Sequence, residues 1–262
     1  MHISALYIYP IKSCRGIAVD SASVHDIGLE HDRRFMVIDE HNRFVTQRDY
    51  PAMAQIGVHQ TATGWALHRV GMPTLRWDPT TNGAESVVQI WKDSVTVVDQ
   101  GPAAANWFSE ATGAKCRLVG FAPHSRRSVD QTYAVDQDDA VSFADGYASL
   151  IVTEASLIDL NTRTKENVPM DRFRPNIVVA GASAWEEDNW RNVRVGTVDM
   201  VAVKKCARCV MTTTDQLTGE RHVEPLHTLA VFRHIGHGLI FGQNMVHVGR
   251  GTIRIGDAVT IG

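Results

Sequence analysis

Short runs in which apolar and polar residues alternate, punctuated by Gly, Asp and Asn, constrain this chain more than any other feature. Successive side chains of a strand point to opposite faces, so such runs suit half-buried strands. Ile3 to Tyr9 is the first. Phe35–Asp39 and Phe44–Gln47, around the polar stretch 40–43, predict a hairpin. Val87–Trp91 and Val95–Val98 predict a second around Lys92-Asp93-Ser94, and Thr252–Ile255 with Val259–Ile261 a third around Gly256-Asp257. Many short strands joined by such turns indicate barrels or sandwiches rather than a doubly wound sheet.

Helices are few and short. Ala103–Thr112 is one candidate, and Thr153–Asn161 is another, with Thr153 able to cap it. Glu224-Pro225 opens a third, in which Leu226, Leu229 and Phe232 share a face. The expected fold is mainly β and rich in β-barrel, with a few short helices. A boundary between about Gly101 and Pro123 separates an all-strand first part from a second that mixes strands with short helices, and the expected division is 1–118 and 119–262. A ligand that needs Lys12 or Arg33 together with the second module has to lie between the two.

The 262 residues carry a formal net charge of -3, where a duplex-binding protein would show a basic excess, so no nucleic-acid polymer is expected as partner. Four cysteines, Cys14, Cys116, Cys206 and Cys209, are too few for a disulfide scaffold at this length. The start, Met1-His2-Ile3-Ser4, lacks a charged region followed by an apolar one, and no apolar run nears the roughly 20 residues that span a bilayer. A cytoplasmic protein with free thiols and no membrane contact is the expectation.

Chemistry concentrates at Lys204-Lys205-Cys206-Ala207-Arg208-Cys209. Fixed positive charge pulls a thiol toward thiolate, and thiolates favour soft or high-valent metals. The pair alone leaves three readings open: buried small hydrophobes, a redox pair, or a zinc site that His222 and His227 would have to complete. Tyr9-Pro10-Ile11-Lys12-Ser13-Cys14-Arg15-Gly16 follows the first strand and offers a lysine, a hydroxyl and amides for an anion. Asp32-Arg33-Arg34 precedes a strand, and Arg172 and Arg174 share parity before Asn176, which can both donate and accept. Each of these taken singly is matched by solvated loop charge. Glu186–Trp190 and Phe241-Gly242-Gln243-Asn244 are undiagnostic, although Gly242 suggests a bulge or a close backbone approach.

In combination and in this order, the motifs resemble one family. Tyr-Pro-Ile-Lys-Ser-Cys-Arg-Gly, Gly-Leu-x-x-Asp-Arg, Phe-Arg-Pro-Asn, Cys-x-Arg-Cys-x-x-Thr-Thr, Glu-Pro-Leu-x-Thr-Leu, Phe-Gly-Gln-Asn and a closing Ile-x-Ile-Gly-Asp-x-Val run from about Tyr7 to the C-terminus. The set is similar to the MOSC family, named after the molybdenum cofactor sulfurase C-terminal domain, preceded by its N-terminal β-barrel domain. The nearest branch resembles the amidoxime-reducing component and its bacterial relatives.

That resemblance implies residues 1–118 as the N-terminal β-barrel and 119–262 as the MOSC β-barrel. It implies a molybdenum–molybdopterin cofactor, with Cys209 as the protein ligand to the metal and Cys206 only a neighbour. Lys12, Ser13 and Arg33 would hold the pterin and its phosphate. Thr153, Arg174 and Asn176, with Arg172, would contact it from the other domain. Asp215 is a candidate to relay protons or orient its neighbours, against the plainer reading of a turn former before Leu217-Thr218-Gly219. The implied reaction converts N–OH to N–H in small N-hydroxylated substrates. Some bacterial relatives continue into an iron–sulfur domain; with no set of four spaced cysteines, electrons are expected from a separate reductase or an iron–sulfur or flavin carrier. A cofactor or sulfur carrier without turnover is the competing reading.

Overall fold

The computed structural model describes residues 1–262. Strands dominate it, as the alternating runs require, and three helices accompany them: α1 (Pro102–Thr112), α2 (Glu154–Asn161) and α3 (Leu226–Phe232). The largest sheet runs in the order Val259–Ile261, Asn192–Val195, Val198–Ala207, Gly238–His247, Ser149–Thr153, Ile177–Ala180, His2–Ile8 and Ile17–Val19. Ser149–Thr153 and Ile177–Ala180 are parallel; the other neighbours are antiparallel. The first strands of the chain thus lie in the same sheet as the last. A small sheet repeats this interleaving, pairing Gly251–Arg254 with Ser21–His25. Ile3, Leu6, Val24 and Leu29 consequently share one core with Ile151, Val179, Met200 and Ile253.

Residues 35–121 build two further sheets, one from Phe35–Asp39, Cys116–Phe121, Asp93–Asp99 and Glu85–Ile90, the other from Gly57–Gln60, Trp65–His68 and Leu75–Trp77. Helix α1 closes over them. Pro102 opens it, Gly113 ends it in the left-handed region, and Ala104, Trp107, Phe108 and Ala111 form its buried stripe. Ile11, Val37, Leu67, Trp107 and Leu118 meet in that core. Thr153 caps α2 by accepting from the Ser156 N–H at 3.2 Å. No helix is long and apolar enough to cross a membrane.

The second predicted hairpin forms, with Trp91 and Lys92 as its turn. The first is cut short: only Phe44 bridges Ile38. The Thr46 N–H and hydroxyl both donate to Asp49 Oδ2, and this local side-chain turn displaces strand pairing. The third does not form. Gly251–Arg254 pairs with Ser21–His25, whereas Val259–Ile261 pairs with Asn192–Val195. The turn at Gly256 (φ 90°) sends the two strands to different sheets, where Ile253 and Val259 still face a common core.

Candidate functional site

Where the loop 9–15 leaves the large sheet for the smaller module, a cavity of about 350 Å³ opens between the two. It is lined by Lys12, Ser13, Arg33 and Arg48 from the first part of the chain. Asp145, Tyr147, Arg172, Arg174, Asn176, Cys206 and Cys209 face them from the second. Of the residues singled out in the sequence, the fold therefore gathers Lys12, Ser13, Arg33, Arg172, Arg174, Asn176 and Cys209 around one space. Thr153 and Asp215 are not in its wall.

Strand ends and tight turns aim these side chains. Tyr9 is buried, and its amide donates to Asp32 Oδ1 at 2.8 Å while its hydroxyl donates to the Pro175 carbonyl at 2.9 Å. Its ring carries two guanidiniums, Arg33 at 4.4 Å and Arg174 at 4.2 Å from the centroid. Arg33 also donates to Asp32 Oδ2 at 2.6 Å and to Asn176 Oδ1 at 2.9 Å. Asn176 answers through Nδ2 to Tyr7 O and Asp32 Oδ1, each at 3.1 Å, so it locks the loop to the sheet. Ser13, Arg33 and Arg174 all have left-handed backbones, with φ of 69°, 48° and 53°. Such conformations cost roughly 1–3 kcal/mol each and cluster at functional sites.

Lys12 is buried and donates to Phe143 O at 2.8 Å and to Asp145 Oδ1 at 2.5 Å. Burial pushes the Lys12 ammonium below its ordinary range, with Asp145 opposing that shift. Partial loss of hydration works to raise the Asp145 carboxyl, but Lys12 and Arg48 outweigh it and hold the group below the usual carboxylate range. Its side chain remains 56% exposed, at the cavity mouth. Arg172 pairs with Asp215 Oδ2 at 3.0 Å. Asp215 Oδ1 accepts from the Leu217 and Thr218 amides at 2.8 and 2.9 Å, so this residue both forms the turn and orients Arg172 from behind the wall. Thr153 is further removed: its hydroxyl contacts Ser156 Oγ at 2.7 Å and Glu187 Oε2 at 2.9 Å, and that engagement with the α2 cap holds it away from the cavity.

Eight of the lining residues are Lys or Arg (12, 33, 48, 172, 174, 204, 205 and 208), and Asp145 is the one carboxylate. In a chain of net charge -3 this is a local concentration of positive potential. Ser13 Oγ, Arg48 Nη1 and Arg172 Nε are buried without a hydrogen-bond partner. Buried polar atoms are nearly always paired. Three unpaired polar atoms in the wall of one cationic cavity fit an anionic ligand with several acceptor oxygens, and a phosphate-bearing pterin is such a ligand.

Cys209 follows the strand Val198–Ala207 and precedes the short turn Val210–Thr213. Cys206 also reaches the cavity; burial pushes its thiol up. The cations adjacent in sequence turn elsewhere. Lys204 Nζ lies over the Tyr133 ring at 4.2 Å, Lys205 pairs with Asp188 at 3.3 Å, and Arg208 donates to the carbonyls of Phe241 and Phe173. The guanidinium that reaches Cys209 is Arg48, whose Nη2 lies 3.5 Å from Sγ. Neither His222 nor His227 completes a zinc site, since no three His, Cys, Asp or Glu side chains gather to hold a metal. Arg48, Asp145 and Tyr147 escaped the sequence reading, because each sits in an irregular segment outside any motif.

Residues 1–115 match the family described as MOSC N-terminal beta barrel domain, and residues 138–260 match the MOSC domain. The chain is 37% identical to mitochondrial amidoxime-reducing component 1 of Mus musculus, over 98% of this chain and 81% of that one. It is 36% identical to mitochondrial amidoxime reducing component 2 of Bos taurus, over 88% and 72%. Against the molybdenum cofactor sulfurase of Oryza sativa subsp. japonica, the identity is 30% over 92% of this chain and 32% of that protein.

Proposed function

The chain belongs to the MOSC family, with the family's N-terminal β-barrel domain ahead of the MOSC domain, and from that membership we propose a molybdenum-cofactor-dependent reductase of N-hydroxylated compounds. The observation that carries the proposal is the convergence, on one cavity, of Cys209 with cationic side chains from both parts of the chain and with unpaired buried polar atoms. Cys209 would ligate the metal. Ser13, Lys12 and Arg172 would hold the phosphate, and Arg33 and Arg174, braced on Tyr9, the pterin. Asn176 keeps that brace in register through Arg33 and Asp32. When bound, the cofactor would supply the two-electron, two-proton reduction of N–OH to N–H and water. The protein contributes a rigid, positively charged frame whose charges are neutralised by the ligand. Electrons would come from a separate donor protein.

Metal and pterin analysis of protein made in a cofactor-competent host tests this. One molybdenum per chain is expected, lost in Cys209→Ser and kept in Cys206→Ser. Molybdenum retained without Cys209 would sink the assignment. The relative named a cofactor sulfurase favours a second reading, a cofactor or sulfur carrier. Loaded protein that fails to reduce a hydroxylamine with an artificial electron donor would select it.

A further inference from the structure

Arg48 joins the two parts of the molecule at the sulfur of Cys209. Its Nη2 donates to Cys209 Sγ at 3.5 Å and to Asp145 Oδ2 at 3.2 Å, while Nη1 is buried with no partner. The loop that carries it is braced on several sides. Arg221 Nη2 donates to the Gln47 carbonyl at 2.8 Å and to the Arg48 carbonyl at 2.7 Å. Gln47 Nε2 donates to Ser13 O at 2.8 Å and to Gln216 Oε1 at 3.2 Å. The guanidinium also rests over the Trp91 ring, 5.2 Å from its centroid. A surface arginine paired by chance needs none of this.

The counter-charge is shared. Lys12 Nζ holds the other oxygen of Asp145 at 2.5 Å, so one carboxylate faces two cations and the group around the sulfur stays net positive. We propose that Arg48 is a positioning residue that tunes the thiolate ligand of the metal through an N–H···S hydrogen bond, with Asp145 limiting its effect from the opposite side. The inference rests on Cys209 being the molybdenum ligand. Hydrogen bonds and positive charge at a ligand sulfur stabilise the more negative, reduced form of the centre and raise its reduction potential. Removing the Arg48 charge therefore lowers the potential, and removing the Asp145 charge raises it.

The test is potentiometry of the cofactor-loaded holoprotein, followed through its paramagnetic molybdenum signal, on wild type, Arg48→Gln, Arg48→Lys and Asp145→Asn. Arg48→Gln is expected to make reduction about tenfold less favourable, a shift of ~59 mV for one electron. Its kcat should fall roughly tenfold, with KM changed less than about twofold, as for other outer partners of a metal ligand. Arg48→Lys, which keeps a charge without the fork, should fall in between and replaces the glutamine variant if that one does not load. Asp145→Asn should shift the midpoint the other way. A purely structural role would lower cofactor content and leave the midpoint of the loaded fraction at the wild-type value. That result, or shifts of one sign in both variants, overturns the assignment of Arg48. Wild-type protein without molybdenum, or with a Cys209→Ser variant that keeps it, overturns the reading of the site itself.

Discussion

Arg174 reaches the cavity from a backbone conformation that few residues adopt, closing the short turn Met170–Phe173 in the left-handed region. Its charge is not free: Nη1 donates to Cys14 O at 2.7 Å, and the guanidinium lies on Tyr9 beside that of Arg33. Two like charges on one aromatic face have reason to coexist when an anion sits against both. Arg174→Ala should therefore cost cofactor retention more than fold. The loss of a charge-assisted hydrogen bond is worth roughly 1.5–3 kcal/mol, about tenfold or more in affinity. The orphaned Cys14 carbonyl costs about 1–3 kcal/mol of stability. Molybdenum content after dialysis, set against a urea unfolding curve, checks both, and unchanged retention removes Arg174 from the site. Lys12, Arg33 and Arg174 could be found in the sequence because each lies in a family motif at a strand boundary. Arg48 could not. It depends on the Thr46–Asp49 turn, whose geometry no periodicity encodes.

Among the elements, the strand Gly238–His247 ties the site to the large core, with Ser149–Thr153 on one side and Val198–Ala207 on the other. At its bulge Gly242 has φ 79°, and a Cβ there would lie 2.8 Å from the Ile151 carbonyl, so the close approach suggested by the sequence is real. At its end His247 is buried; one ring nitrogen meets Ser149 Oγ at 2.8 Å and the other His25 O at 3.3 Å. Burial lowers the imidazole from its ordinary 6.5 to about 4. Below pH 6.5 the unfolded chain takes up a proton that the folded one refuses, so His247 withdraws stability as pH falls from about 6.5 toward 4. The full effect is about 3 kcal/mol, from ~1.4 kcal/mol per unit. Urea midpoints across that window should drop in wild type and stay flatter in His247→Gln, and parallel curves would refute this assignment. The three expected helices all form, and for the second and third the signals were the Thr153 cap, Pro225 and the spacing of Leu226, Leu229 and Phe232, because caps and periodicity are local. The partner of Val259–Ile261 was hidden, because a strand's own sequence does not say which sheet edge it completes.

For the whole molecule, the interleaving of first and last strands has an electrostatic consequence. It brings cations far apart in sequence to one cavity, while compensating acids such as Asp26, Asp99 and Asp199 pair with arginines on the outer surface. The overall charge of -3 accordingly conceals a cavity of about 350 Å³ with Lys12, Arg33, Arg48, Arg172 and Arg174 in its wall. Two effects of added salt on cofactor-free protein then separate. Any electrolyte screens mutual repulsion, with a Debye length of about 10 Å at 0.1 M. An oxyanion that engages Ser13, Lys12 and Arg172 additionally binds the folded state alone, and stabilises it by RT ln(1 + [L]/Kd). At ten times its Kd that is roughly 1.4 kcal/mol. For a chain of this size it amounts to roughly 3–6 °C in the melting midpoint. Phosphate should thus raise the midpoint beyond what chloride achieves at matched ionic strength. The excess should shrink in Arg172→Gln, which removes an unpaired donor from the wall, and persist in Arg194→Gln, which breaks an exposed pair with Asp199. Equal shifts in the two salts would reduce the cavity to a region of screened repulsion with no oxyanion seat, and would deprive the cofactor's phosphate of its proposed anchor.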